Sequence, residues 1–280
     1  MTLASPELLQ LGAAVLSGVF VGFSLGLVGG GGSVLAVPLL VYFVGVGDPH
    51  VAIGTSAVAV AANALASLGN HARAGTIKWR CASVFALFGV AGAFGGSTLG
   101  KMLDGQKLLA LFGLLMLVVG AVMFRRRGGE GFHAVRLNRD NFPRLAALGL
   151  VIGGLSGFFG IGGGFLVVPG LMLASDMPIL YAIGSSLVSV TAFGVTTAGN
   201  YALSGLVDWP LAGGILGGGV IGGMIGAATG RRLSTQRGAL AAVFAMIIVA
   251  VAIYVLWRSA AALGLLELAK DWLSTPSAPR

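Results

Sequence analysis

Two stretches of this chain, Leu108–Phe124 and Ala239–Trp257, run for 17 and 19 residues without a single charged side chain. Each reaches the roughly 17–25 residues that a membrane-spanning helix needs. The rest of the chain follows suit: of its 280 residues 56% are hydrophobic and only 9% are charged, against about 25% charged in soluble domains. Lipid offers a backbone amide no partner, so each span has to satisfy its own hydrogen bonds as a helix. The fold class is an all-α integral membrane protein with several passes.

Within this apolar background two glycine runs stand out. The first reads G-L-V-G-G-G-G-S-V-L-A-V-P from Gly26 to Pro38, the second G-F-F-G-I-G-G-G-F-L-V-V-P from Gly157 to Pro169. Several adjacent glycines cost a helix about 1 kcal/mol each. Backbone released from a helix at membrane depth has to be held by protein or by a water-filled cavity. Breaks at matching places in two halves of a membrane protein point to a transport site.

The halves match beyond the runs. With Pro38 set against Pro169, Gly22, Gly26, Gly29, Gly31 and Gly32 fall on Gly153, Gly157, Gly160, Gly162 and Gly163. After a one-residue gap, A-I-G-T-S (Ala52–Ser56) meets A-I-G-S-S (Ala182–Ser186). Asn70 then meets Asn200, Trp79 meets Trp209, and Gly92 and Gly96 meet Gly222 and Gly226. The pattern predicts a tandem duplication of five apolar segments per half. The expected layout is a first repeat over 1–124, a basic linker over 125–143, a second repeat over 144–257, and an interfacial helix with a tail over 258–280.

The second segment of each half is short. Val34–Val46 and Phe165–Ala174 would extend about 20 and 15 Å as helix, against a hydrocarbon core of about 30 Å. Pro38 and Pro169 are expected near their starts, where a missing N–H is tolerated best. These are predicted to be partial helices that begin inside the membrane. Leu263–Leu273, with charges among leucines and a tryptophan, reads as a short helix lying in the interface. The N-terminus lacks the basic stretch of a cleavable signal, so the first apolar segment is expected to stay in the mature chain.

The net charge of +8 belongs to loops rather than to a nucleic-acid surface. If the first two segments of each half return to their starting side, the halves are inverted. Twelve basic residues, among them Arg73, Lys78, Arg80 and the six arginines between 125 and 144, then share one side and five the other. The positive-inside rule places the twelve in the cytoplasm, with anionic headgroups beside 125–144. A parallel arrangement of the halves gives the same split, and length favours the inverted one.

Chemistry is limited by what is missing. The acidic residues fall in loops, ends or the tail, there is one cysteine, Cys81, and the three histidines are scattered. No nucleophile with a base, no metal-ligand spacing and no membrane carboxylate is apparent, so an enzyme, a cofactor and a proton pump are all disfavoured. The polar groups inside the apolar segments are neutral, including Ser33, Asn63, Thr191, Thr196 and Thr197. Neutral donors suit an anion: helices starting at Gly32–Ser33 and Gly163–Gly164 would aim free N–H groups at the breaks. The candidate substrate-binding set is Gly29, Gly31, Gly32, Ser33, Thr55, Ser56 and Asn70 in the first half, with Gly160, Gly162, Gly163, Gly164, Ser185, Ser186 and Asn200 in the second. The bland alternatives are that Gly92, Gly96, Gly222 and Gly226 pack helices together, that the hydroxyls bond back to their own helices, and that Asn70 and Asn200 cap theirs.

On the two G-rich runs with their prolines and the A-I-G-[TS]-S pairs, the chain resembles the TauE/SafE family of sulfite and organosulfonate exporters, over roughly residues 10–257. The resemblance implies a multi-pass inner-membrane permease for a small sulfur-containing anion such as sulfite, sulfoacetate or a related sulfonate, working by alternating access. One departure is Ile161 in the second run where the first has Gly30. Two other readings remain open on the residues alone. One is a carrier or channel for a cation or neutral solute, coordinated by carbonyls at the same breaks; the other is a non-transporting membrane scaffold. No oligomeric state follows from the sequence.

Overall fold

A computed structural model describes residues 6–28, 33–125, 137–162, 164–233 and 239–262. Gly29–Gly32, Gly163, most of the basic linker (126–136) and the interfacial segment 263–273 lie outside the described residues. The described elements are all helical. They are α1 (Pro6–Val28), α2 (Ser33–Val44), α3 (Pro49–Arg73), α4 (Trp79–Gly100), α5 (Gly105–Arg125), α6 (Phe142–Phe159), α7 (Gly164–Ser175), α8 (Ile179–Ala202), α9 (Trp209–Leu233) and α10 (Ala239–Ala262). Among the described residues, six helices (α1, α3, α4, α6, α8 and α9) are long and apolar enough to cross a membrane. Large apolar side chains such as Leu87, Phe94, Met102 and Met224 stand exposed on the outside, as a lipid-facing surface requires.

The two short segments are helices of about 18 Å, too short to cross. α2 is irregular: a 3₁₀ turn at 33–35 leads into α-helix at Ala36–Leu39 and then a π-helical turn, Leu40–Val44. It ends where Gly45 takes a left-handed φ of 81°, and the Val46 N–H donates to the Leu40 carbonyl at 3.0 Å. α7 is regular α-helix, and it corrects one expectation. Pro169 is its sixth residue, inside the helix rather than in its first turn, so it deletes the hydrogen bond to the Phe165 carbonyl.

Each short helix doubles back along the one before it. Leu40 and Val44 pack with Ala14, Ala52, Leu211 and Ile215, which lie near the starts of α1, α3 and α9. In the other half Gly170 faces Ile152, seven residues before α6 ends, and Phe85 in the first half of α4. Thus α1–α2 and α6–α7 are hairpins that turn at the glycine runs and return toward their own starting side.

Glycine sets the main helix contacts. α1 runs parallel to α9, with Gly18 and Gly22 against the backbones of Ile215 and Gly219, and Gly222 and Gly226 against Val19 and Phe23. α6 runs parallel to α4 in the same manner, with Gly149, Gly153 and Gly157 on Phe85, Gly89 and Ala93, and Gly92 and Gly96 on Leu150 and Gly154. A methyl at these positions would meet backbone carbonyls, so only glycine permits the approach. Gly26 belongs to this class too, lying on Gly223. The opening glycines of both runs, Gly26 and Gly157, therefore pack helices. At the centre, α3 and α8 are the two most buried spans and lie antiparallel, each with its beginning beside the other's end.

Candidate functional site

The antiparallel contact of α3 and α8 is fastened at both ends by the A-I-G-[TS]-S elements. Gly54 lets the backbone of Leu206 come close, and the next residue, Thr55, accepts a hydrogen bond at 2.9 Å from the Asp208 N–H. Gly184 faces Thr76, and Ser185 accepts from the Lys78 N–H at 2.9 Å. Each glycine–hydroxyl pair thus clasps the loop that follows the third helix of the other half. Asp208 in turn caps α9 by accepting from the Leu211 N–H. The structure therefore places Thr55 and Ser185 at these clasps, about 10 Å along the helix axis from mid-length, and not at the breaks.

The next residue in each element points inward. Ser56 donates to Ile53 O at 2.9 Å and lies 3.4 Å from Gly160 O, which brings it against the second glycine break. Ser186 donates back to Ile183 O at 2.8 Å. Both hydroxyls are fully buried.

The second break is built by left-handed glycine. Gly160 has φ 67° and Gly162 has φ 62°. Gly160 ends α6 with paired bonds: its own N–H donates to Gly157 O at 3.2 Å and the Ile161 N–H to Ser156 O at 3.3 Å, the Schellman arrangement. A Cβ at Gly160 would run into Ile53, and one at Gly162 would lie 3.0 Å from Val60 and 3.5 Å from Val190. Val60 and Val190 are each the twelfth residue of their helix, α3 and α8. Gly162 therefore sits between the two central helices at mid-length. α7 begins two residues later, with Gly164, Phe165 and Leu166 buried; amides of a first helical turn have no acceptor within their own helix. Phe112 of α5 packs on Phe159 and Phe165 and closes the apolar side. No carboxylate lies among these residues. Of the first run's set, Ser33 is fully buried at the start of α2, and Gly29, Gly31 and Gly32 are outside the described residues.

Asn70 and Asn200, paired in sequence, have different surroundings. Asn200 is tied down: its Nδ2 donates to Ser97 Oγ at 2.6 Å and Thr98 Oγ1 at 3.0 Å. Lys101 Nζ donates to the Asn200 main-chain O and Oδ1 at 3.1 and 2.9 Å, and to Ser204 Oγ at 2.8 Å. Asn70 instead lies on a cleft of about 120 Å³ between α1, α3 and α9. With it on the cleft wall are Asn63, Ser67 and His71, a polar stripe at helical spacing on one face of α3. In the sequence Asn63 and Asn70 stand out as neutral groups and His71 as a scattered loop histidine; their helical spacing with Ser67 is the signal that joins them. The cleft's other walls are Leu25, Gly26 and, from α9, Gly219, Gly223 and the outward-facing Val220 and Met224, and its lining contains no acidic residue.

The model of the family described as sulfite exporter TauE/SafE matches residues 14–255. A probable membrane transporter protein of Xylella fastidiosa (strain 9a5c) is 52% identical over 255 residues, covering 88% of this chain and 95% of the relative. The probable membrane transporter protein YunE of Bacillus subtilis is 26% identical over 243 residues, covering 79% and 89%. A similar protein of Methanocaldococcus jannaschii, also named a probable membrane transporter, is 29% identical over 196 residues, covering 67% and 71%. No solved structure matches.

Proposed function

We propose, from the premise that the chain belongs to the sulfite exporter TauE/SafE family of membrane transporters, that its substrate is a small sulfur-containing oxyanion, sulfite or an organosulfonate. The observation that carries this reading is the second break: a helix start buried at mid-length between α3 and α8, with hydroxyl and amide groups and no carboxylate around it. A helix N-terminus in a water-poor site favours negative charge, and a pyramidal or tetrahedral oxyanion matches several converging donors. A cation would need carboxylates or converging carbonyls, and one carbonyl at the break, Gly160 O, accepts from the Ser56 hydroxyl.

The reciprocal clasps, the two hairpins and the antiparallel α3 and α8 support an inverted pair of repeats, with the end bearing Arg73, Lys78 and Arg80 in the cytoplasm of a bacterial-type inner membrane. Two hairpins set among rigid helices suit alternating access around a fixed site. The first run, through Gly29, Gly31, Gly32 and Ser33, is proposed to supply the second set of donors, with Gly163 and Gly164 completing the first. Purified protein in proteoliposomes tests this directly. Sulfite or sulfoacetate flux is expected, competed by other sulfur oxyanions and indifferent to alkali cations. Normal flux in folded Gly162→Val protein would remove the break from the permeation path.

A further inference from the structure

We propose that the cleft between α1, α3 and α9 is the vestibule through which the anion enters from the basic end, and that Asn63 is its selectivity residue. The inference rests on the anion-permease reading and extends it to a site away from the second break. Asn63 is only 4% exposed, yet its Nδ2 has no hydrogen-bond partner. A buried amide left unpaired costs about 1–3 kcal/mol, and a chain that keeps one against a cleft wall has a donor in reserve. Gly219 makes room for it: a Cβ there would collide with the Asn63 amide.

From Asn63 the polar face of α3 continues through Ser67 and Asn70 to His71, whose Nδ1 lies 2.9 Å from Thr76 Oγ1. That end of α3 carries Arg73, and Lys78 and Arg80 follow it in sequence, so the chain beyond the stripe is basic while the cleft lining is neutral. Such a cleft draws anions in and offers nothing that repels them. Its 120 Å³ is several times the roughly 10–15 Å³ that a single water needs, enough for a small oxyanion. Gly26, the opening glycine of the first run, is on the wall.

The same place in the other half is filled. Phe193 holds the position that the repeat assigns to Asn63. It lies against Gly89, the mate of Gly219, and its ring centroid is 6.3 Å from that of Phe85. Asn200 is bound to Ser97, Thr98 and Lys101. Among the described residues, the equivalent space in the other half is closed by the Phe193 ring.

The test compares anion flux in proteoliposomes for the wild type, Asn63→Asp, Ser67→Asp and Ser67→Lys, with folding checked by thermal unfolding. Asn63→Asp keeps the shape and adds one negative charge. At about 5 Å from a passing anion, with an effective dielectric constant of about 20, that charge should cut flux roughly a hundredfold. The Ser67 pair decides the matter if Asn63→Asp does not fold, because Ser67 is less buried. Asp should raise the half-saturation concentration severalfold and Lys should lower it, an opposition of sign that a structural role does not produce. Wild-type flux with unchanged kinetics in the folded Asp and Lys variants overturns the vestibule and leaves the permease standing. An absence of wild-type flux of any sulfur oxyanion overturns the permease and the vestibule with it.

Discussion

Replacing Thr55 by valine removes one hydroxyl and keeps the side chain's shape, so it asks whether that hydroxyl fastens the structure or meets substrate. Thr55 is fully buried and its Oγ1 receives the Asp208 N–H at 2.9 Å. The valine leaves that N–H without its acceptor, at a cost of about 1–3 kcal/mol. Hydrogen bonds between membrane helices fall toward the lower part of that range, about 0.6–2 kcal/mol. Ser185→Ala does the same to the Lys78 N–H. The two clasps lie at opposite ends of α3 and α8 and share no partner, so their costs should add to within about 0.5 kcal/mol. Thermal unfolding in detergent should show both single variants destabilised and the double variant by the sum. Flux in proteoliposomes should keep the wild-type half-saturation concentration in all three. A Thr55→Val protein as stable as wild type but with a severalfold higher half-saturation concentration would refute the clasp and put the hydroxyl on substrate.

Two further perturbations separate the glycines and the lysine by role. Gly160→Ala places a Cβ in a left-handed conformation, about 1–2 kcal/mol, and drives it into Ile53, another 1–3 kcal/mol or so; Gly213→Ala, in α9 with nothing within 4 Å, should be neutral or gain up to about 1 kcal/mol. Equal unfolding temperatures for the two would contradict the Gly160 geometry. Lys101→Met removes charge-assisted bonds to Asn200 and Ser204. Hydrogen exchange over residues 196–204 should accelerate by about tenfold, the lower end for bonds to a charged group because Lys101 is half-buried. Unchanged exchange would mean that the end of α8 is held by packing alone.

Much of this architecture can be read from the chain because it is written in short-range terms. Val34–Val46 and Phe165–Ala174 are too short to cross, and the structure has short helices at Ser33–Val44 and Gly164–Ser175. Gly92, Gly96, Gly222 and Gly226 have the spacing of close helix contacts, and each lies on a partner backbone. The roles of the A-I-G-[TS]-S residues were not legible. A hydroxyl after a glycine in an apolar helix looks the same whether it faces a substrate or a loop more than 100 residues away. Thr55 and Ser56 are neighbours in sequence, yet the helical turn of about 100° between them sends one to the Asp208 loop and the other to Gly160. The helix start expected at Gly163–Gly164 was legible, since α7 begins at Gly164; only the place of Pro169, five residues further on and past the first turn, was not.

The two halves also differ where a pair of equal half-sites would not. Asn63 against Gly219 leaves a polar cleft, whereas Phe193 against Gly89 fills the equivalent space with a ring. Asn70 is exposed, whereas Asn200 is held by Lys101. Opening the second end requires moving a phenyl ring and releasing an ammonium from three oxygens, while the basic end needs neither. If the cleft is the proposed vestibule, this difference biases the resting protein toward one open face without choosing a direction of transport. For an uncoupled carrier or exchanger, net flux still follows the gradients, since a bound anion can shift the two states only by its difference in affinity for them. What the bias does set is apparent affinity, because a site open to one face most of the time is penalised least from that face. Half-saturation should therefore lie at lower anion concentration for flux entering at the basic end than for flux entering at the Lys101 end, in proteoliposomes of known orientation. Equal values from both faces would mean that the ring and the ammonium are no barrier, and that the Asn63 cleft is a feature of shape alone.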